Sequence, residues 1–462
     1  RLYRATIAGA DGNPGILFDA ETGLGAASAR AGLSADARGH FENAVQLAES
    51  KRDAIAGDEF QIAFLARMMR AWREYVDFLV AAGQTEAALE VAERSRAQVL
   101  SEKLRARRAA ASPRLSSARL RQMAVRLRCT MLSYWLGPER SYVWIADSAG
   151  VRLRRLPARD EIGRMVAAWQ QRIENQAGDA LETGREAGDR LSALLLAGVR
   201  LPPDARLLIV PDGSLHQLNF ETLPVAGAAR YLLDDATVIV APSLAVFAAE
   251  EAGGIPRPAE ALLVGVGRPG EPAYDPLPMA EQEVRTIAAL PAERPPVVLL
   301  GDAATPAAIR RLDLQRFGLI HFAAHAEANR VSPLDSAVIL ARGGDESRLY
   351  AREIAGMPLQ ARLVTLSACR TAGARAYSGE GLLGLTWAFL SSGARTVIAG
   401  LWPVGDRATA SLMEKTYAGL ARGLSPAAAL HEAKLALRRS PGAWRQPFYW
   451  GSFQVYARCG GF

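Results

Sequence analysis

At 462 residues, with 50% hydrophobic, 22% charged and 7% aromatic content, the chain reads as globular and long enough for two or three domains, which excludes disordered, collagenous and coiled-coil classes. The longest charge-free stretches, 236–249 and 381–394, hold 14 residues each, short of the roughly 18 that a membrane-spanning helix requires. The net charge is +7, and nine positive charges against Glu102 fall between 102 and 128, so the remainder is close to neutral. Three widely spread cysteines (Cys129, Cys369, Cys459) and no basic n-region before an apolar run argue against a secreted disulfide scaffold and for a reducing cytoplasm. Arg1 in place of Met leads us to expect a missing N-terminal portion.

From Asp36 to about Arg108 apolar residues recur at three- and four-residue spacing, with breaks near Gly57 and Gly83, which predicts helical hairpins. Around Gly83, the large Trp72, Tyr75 and Leu79 face the small Ala87, Ala88 and Val91, a pattern that resembles one tetratricopeptide repeat. A lone repeat cannot bury its face, so it needs neighbours. The basic segment that follows has no interleaved aromatics for base stacking and includes Ala109-Ala110-Ala111-Ser112-Pro113. It reads as a solvated helix end and linker rather than a nucleic-acid site.

Beyond it, β-branched runs alternate with helices. Strands are expected at 142–145, 207–210, 237–240, 261–266, 319–323, 363–367 and 396–400. Helices are expected at 159–175, 185–197, 279–289, 306–316, 380–392, 406–421 and 426–438, with start signals at Thr305-Pro306 and Ser425-Pro426. This alternation predicts a mostly parallel sheet with helices on both faces, and reactive groups at the carboxyl ends of its strands.

Two motifs fail on their context. Gly265-Val266-Gly267-Arg268-Pro269-Gly270 follows a strand, but Pro269, Pro272, Pro276 and Pro278 forbid the helix whose N-terminus would receive a pyrophosphate. His321 and His325 have zinc spacing, yet no Glu follows His321 and the run 319–323 reads as a strand. A stronger pattern is that two strands end in the residues of cysteine proteases, one running into His325 and the other into Cys369. If those strands are parallel neighbours, imidazole and thiol emerge side by side. The imidazole then takes the proton that keeps a free thiol unreactive at neutral pH. A lone Cys and a lone His would otherwise be read as a small buried hydrophobe and a loop residue.

Seven segments carry a resemblance in order: Pro211-Asp212-Gly213-Ser214-Leu215, the run 319–326, Ser332-Pro333-Leu334, Leu366-Ser367-Ala368-Cys369-Arg370-Thr371, Gly379-Glu380-Gly381, Gly400-Leu401-Trp402-Pro403-Val404-Gly405-Asp406 and Pro447-Phe448-Tyr449-Trp450. Together they resemble the landmarks of the CHAT domain, a caspase- and separase-like cysteine protease family often found behind tetratricopeptide repeats in bacteria. Ala92-Glu93-Arg94-Ser95-Arg96 resembles the last repeat helix of such proteins. The resemblance implies an α/β caspase-like fold preceded by an all-α helical-repeat region. The repeats would cover 1–110, a basic junction 111–128, and the caspase-like domain 129–462, with a pseudo-protease-type half 129–250 and a catalytic half 251–462.

The resemblance further implies His325 as general base and Cys369 as nucleophile, with the backbone N–H groups of Cys369 and Ala326 as the oxyanion hole. Ala326 stands where the family usually has Gly. Asp406 is the expected acid of the pocket for a basic side chain before the scissile bond, Glu380 its fallback, and an N-cap the competing role of Asp406. His321 is assigned to strand packing, His216 is ambiguous, and His40 and His431 are structural. No metal or organic cofactor is needed. The expected partners are a protein substrate and a regulatory protein read through the repeats, with no membrane and no direct nucleic-acid contact. The family context suggests antiphage defence or cell death, with a gasdermin-like or CRISPR-associated partner. The competing reading is a catalytically silent scaffold.

Overall fold

The computed structural model describes residues 13–52, 54–106, 115–176, 178–250, 260–368, 375–377, 381–460 and 462. Cys369, Glu380 and the stretch 107–114 of the basic segment lie outside them, as do 372–374 and 378–379 of the segment 372–379, which we expect from its small and polar residues to be the moving part after the nucleophile. Among the described residues the first five helices are α1 Pro14–Arg30, α2 Ser34–Arg52, α3 Asp58–Ala81, α4 Thr85–Arg94 and α5 Gln98–Ala106. The hairpin expected around Gly83 is α3–α4, with Gly83 at φ 72° in the turn and Trp72, Tyr75, Leu79 and Ala88 buried. α1 pairs with α2 as a further hairpin. Its apolar residues are mostly Ala and Gly, too small to give a periodic signal.

Helix α6 (Ser117–Leu127) leads into the strands β1 Thr130–Leu136, β2 Ser141–Asp147, β3 Gly150–Leu156, β4 Ala205–Val210, β5 Ala236–Val240, β6 Glu260–Gly265, β7 Val297–Leu300, β8 Phe317–Ala323, β9 His325–Glu327, β10 Ala337–Gly343, β11 Glu346–Tyr350, β12 Leu363–Ser367, β13 Arg375–Tyr377, β14 Gly381–Leu383, β15 Thr396–Gly400 and β16 Phe453–Ala457. Among the described residues, eleven of them form one sheet in the order β3-β2-β1-β4-β5-β16-β15-β12-β8-β6-β7. Pairing is parallel except at β1–β2, β2–β3 and β15–β16. The C-terminal strand β16 joins the two halves, running antiparallel to β15 and parallel to β5. Central parallel strands are buried on both faces, and β12 and β15 are accordingly buried along their whole length, as is β4 apart from Arg206.

The helices between strands are α7 Arg159–Glu174, α8 Arg185–Leu196, α9 Leu244–Glu250, α10 Ala280–Ala288, α11 Pro306–Arg310, α12 Ala351–Gly356, α13 Leu385–Ser392, α14 Asp406–Ala421, α15 Pro426–Arg438 and α16 Pro447–Trp450. The helix expected at 306–316 stops at Arg310, where Asp313 instead caps a short 3-10 turn. The helix expected at 380–392 starts only at Leu385. Its first residues form β14, and Gly384, at φ 137°, separates strand from helix. Among the described residues no helix is long and apolar enough to cross a membrane.

The helical region is fastened to the first half of the sheet through Ala92-Glu93-Arg94-Ser95-Arg96. Glu93 accepts from Ser133 Oγ at 2.8 Å and from the Leu244 N–H at 2.7 Å. Arg96 donates to the carbonyls of Tyr134 and, at 3.3 Å, Pro211, with its guanidinium over the Trp135 ring. Arg94 points the other way and forks Glu49 on α2 at 2.8 and 2.7 Å. One short segment thus ties repeat to repeat and repeat to sheet.

Candidate functional site

Strands β8 and β12 are adjacent and parallel, with Ala323 paired to Ser367 at their carboxyl ends. Two residues past Ala323 stands His325; two residues past Ser367 the chain reaches position 369. His325 opens β9, which leaves the large sheet to pair with β10, Ile339 lying opposite His325 and Val338 opposite Ala326. The imidazole is half-buried. Its Nε2 lies 2.7 Å from the carbonyl oxygen of Asp275, and the Tyr274 ring lies 5.3 Å away, centroid to centroid. A carbonyl oxygen only accepts, so Nε2 carries the hydrogen and, in the neutral ring, Nδ1 holds the free lone pair.

A small cleft lies at this sheet edge, lined by Ala324, His325, Ser367, Ala368, Trp402 and Asp406 among others. Asp406 is the first residue of α14 and Gly405 is its N-cap. Its Oδ2 accepts the backbone N–H of Met279 at 2.7 Å. The carboxylate therefore serves the start of α10 rather than capping its own helix.

His321 lies fully buried in β8, two turns of the pleat from His325. Its Nε2 is 2.8 Å from Glu283 Oε1 and its Nδ1 3.0 Å from the Tyr417 hydroxyl, which donates to Thr365 Oγ1 at 3.0 Å. Both nitrogens are engaged inside the core. His216 sits beneath β14, where a Cβ on Gly381 would come within 3.0 Å of its ring. Burial first, then the nearby Arg96 guanidinium, push its pKa down to about 3. His431 is likewise lowered by burial, and His40 pairs with Glu21 at 2.6 Å. Cys129 and Cys459 are buried. Tyr274 and Asp275, which hold His325, escaped the sequence reading because they lie in an aperiodic, proline-rich loop, and Glu283 because a charge on an amphipathic helix normally faces water.

Residues 181–458 match the family model of the CHAT domain. The chain belongs to the CHAT-domain family. It is 23% identical to human tetratricopeptide repeat protein 28 over 302 residues, covering 54% of this chain and 12% of that protein, and 25% identical to the mouse protein over 299 residues with the same coverage. This CHAT-domain chain thus spans about an eighth of the curated relatives it matches. Among solved structures it is similar to Saccharomyces cerevisiae separase in its complex with securin, at TM-score 0.55 and 10% identity, over 91% of this chain and 37% of that one. At that identity the likeness is one of fold. The fold is α/β and caspase-like, a mostly parallel sheet with helices on both faces behind an all-α region.

Proposed function

We propose that this CHAT-domain chain is a regulatory cysteine endopeptidase acting on a protein substrate through His325 and Cys369. The observation that carries the reading is the register of β8 and β12: Ala323 opposite Ser367 favours histidine and cysteine two positions further along at one sheet edge. In this mechanism His325 Nδ1 takes the Cys369 thiol proton and the thiolate adds to the scissile carbonyl. The backbone N–H groups of Cys369 and Ala326 receive the oxyanion. His325 then returns the proton to the leaving amine, and water releases the acyl group. The Cβ of Ala326 narrows the approach of the substrate backbone and favours slow turnover.

Asp406, in the same cleft as His325, supports a preference for Arg or Lys before the scissile bond, through charge-assisted hydrogen bonds; Glu380 is the fallback. The repeats 1–110 receive a protein partner and act on the catalytic half 251–462 across the pseudo-protease half 129–250, in a cytoplasmic setting. Buried Glu93 and Arg96 support that route, as does α5, whose Lys103 ammonium lies over the Trp387 ring of α13. The test is a peptide-library digest with the parent chain and with Cys369→Ala and His325→Ala. Cleavage lost in both singles, and no worse in the double, supports the dyad. Cleavage that survives Cys369→Ala but fails in Cys129→Ala or Cys459→Ala sinks it.

A further inference from the structure

The proline-rich loop 267–279 is the element that holds His325, and it is itself held by a run of side chains that the dyad does not include. The Tyr274 hydroxyl donates to Glu327 Oε2 at 2.5 Å. Glu327 is two residues beyond His325 on β9, on the same side of the strand, and takes Arg348 Nη1 at 2.9 Å. Arg348, on β11, turns Nε and Nη2 to the two oxygens of Glu271 at 2.7 and 2.8 Å. Glu271 also accepts from Ser347 Oγ at 2.8 Å. Both ends of the segment 271–274 are therefore clamped to the small sheet β9–β11, and immediately past the second clamp the Asp275 carbonyl meets His325.

We propose that Tyr274, Glu327, Arg348 and Glu271 are positioning residues that fix the Asp275 carbonyl against His325 and so set the ring and tautomer of the base. The proposal rests on the His325–Cys369 reading. Arg348 stands between two carboxylates, and removing it takes away the cation that Glu271 and Glu327 share. Arg348 and Glu327 are 29% and 41% exposed, and ion pairs this open to solvent add little to stability. Their effect falls on geometry instead. A displacement of about 1 Å at a reacting group costs up to about a hundredfold in rate. The ionisable groups at the ring and its cleft are Tyr274, Asp275, Glu283 and Asp406, with Glu327, Arg348 and Glu271 in the network behind Tyr274; burial and then Glu327 push Tyr274 up to about 12, so it stays neutral at working pH.

The test needs no substrate. The full chain is treated with iodoacetamide across pH 5–9, and labelling of the peptide carrying Cys369 is followed by mass spectrometry, alongside thermal unfolding of each variant. In the parent chain the rate inflects below the free-thiol value of about 8.5, and His325→Ala moves the inflection to that value. Tyr274→Ala, Glu327→Ala and Arg348→Ala are expected to move it the same way and to slow labelling at pH 7 about tenfold. Glu327→Gln, which keeps an acceptor for Tyr274, recovers part of the loss. Should Glu327→Ala fail to fold, Tyr274→Phe, which removes one oxygen and leaves the ring, carries the test with a smaller shift in the same direction. Profiles of the Tyr274 and Glu327 variants that coincide with the parent, while His325→Ala shifts, overturn the positioning role alone. A parent-like profile in His325→Ala overturns the dyad itself, and the positioning role with it.

Discussion

Glu93 Oε2 accepts the Leu244 N–H at 2.7 Å, so a carboxylate of the helical region caps the first turn of α9 in the sheet domain. The same carboxylate takes Ser133 Oγ and lies 3.8 Å from the Arg96 guanidinium. Replacing Glu93 by Ala leaves the buried Arg96 guanidinium without its counter-charge and the Ser133 hydroxyl and the Leu244 and Ala245 N–H groups without their carboxylate acceptor. Removal of one partner from such a buried arrangement costs about 3–5 kcal/mol. Urea unfolding is expected to show that loss, and limited proteolysis to show the helical region released first. A variant as stable as the parent would mean that the two regions are held elsewhere.

Asp406 separates charge from structure. Asp406→Asn keeps an oxygen for the Met279 N–H but removes the negative charge, whereas Asp406→Ala removes both. If the carboxylate recognises a basic side chain, Asn and Ala should lose the Arg/Lys preference alike, and only Ala should lower the melting temperature. Unchanged specificity in both, with stability falling in Ala, would leave Asp406 as a support for α10 alone.

The buried pair His321–Glu283 lies directly beneath the cleft. Glu283→Ala strands the imidazole in a low-dielectric core and is expected to cost about 3 kcal/mol. The joint replacement His321→Phe with Glu283→Leu should recover much of this, because two apolar groups need no partners. Denaturant midpoints of the three proteins check the order.

His216 gives the chain a pH dependence with a definite sign. Its folded pKa of about 3 lies below the ordinary histidine value of 6.5, so between those values the unfolded chain binds a proton that the folded chain does not. Stability is therefore full above pH 6.5 and falls as the pH drops towards 3, by about 1 kcal/mol in the first unit below 6.5. Urea midpoints at pH 7.5 and 5.5 should differ in the parent and differ less in His216→Asn. Equal differences in both would assign the dependence to other groups.

The sequence by itself determined the alternation of strands and helices, because period and breaker residues are local. The helices at 159, 185, 406 and 426 begin where the sequence places them, the last at a Ser-Pro start and the other three with an acidic first turn. It also determined the chemistry at stake: a strand running into His325 and another into Cys369 can be read without knowing their neighbours. Whether those strands are adjacent, and in which register, was decided only by tertiary structure, since parallel pairing joins residues far apart in sequence and leaves no local trace. β16 is the clearest case, a C-terminal strand between β5 and β15 that no periodicity announces. The same holds for Tyr274, Asp275 and Glu283. Each lies in a loop or on an ordinary helix, and its role exists only through a carbonyl, a ring or a carboxylate that the fold carries to a histidine some 40 to 50 positions away.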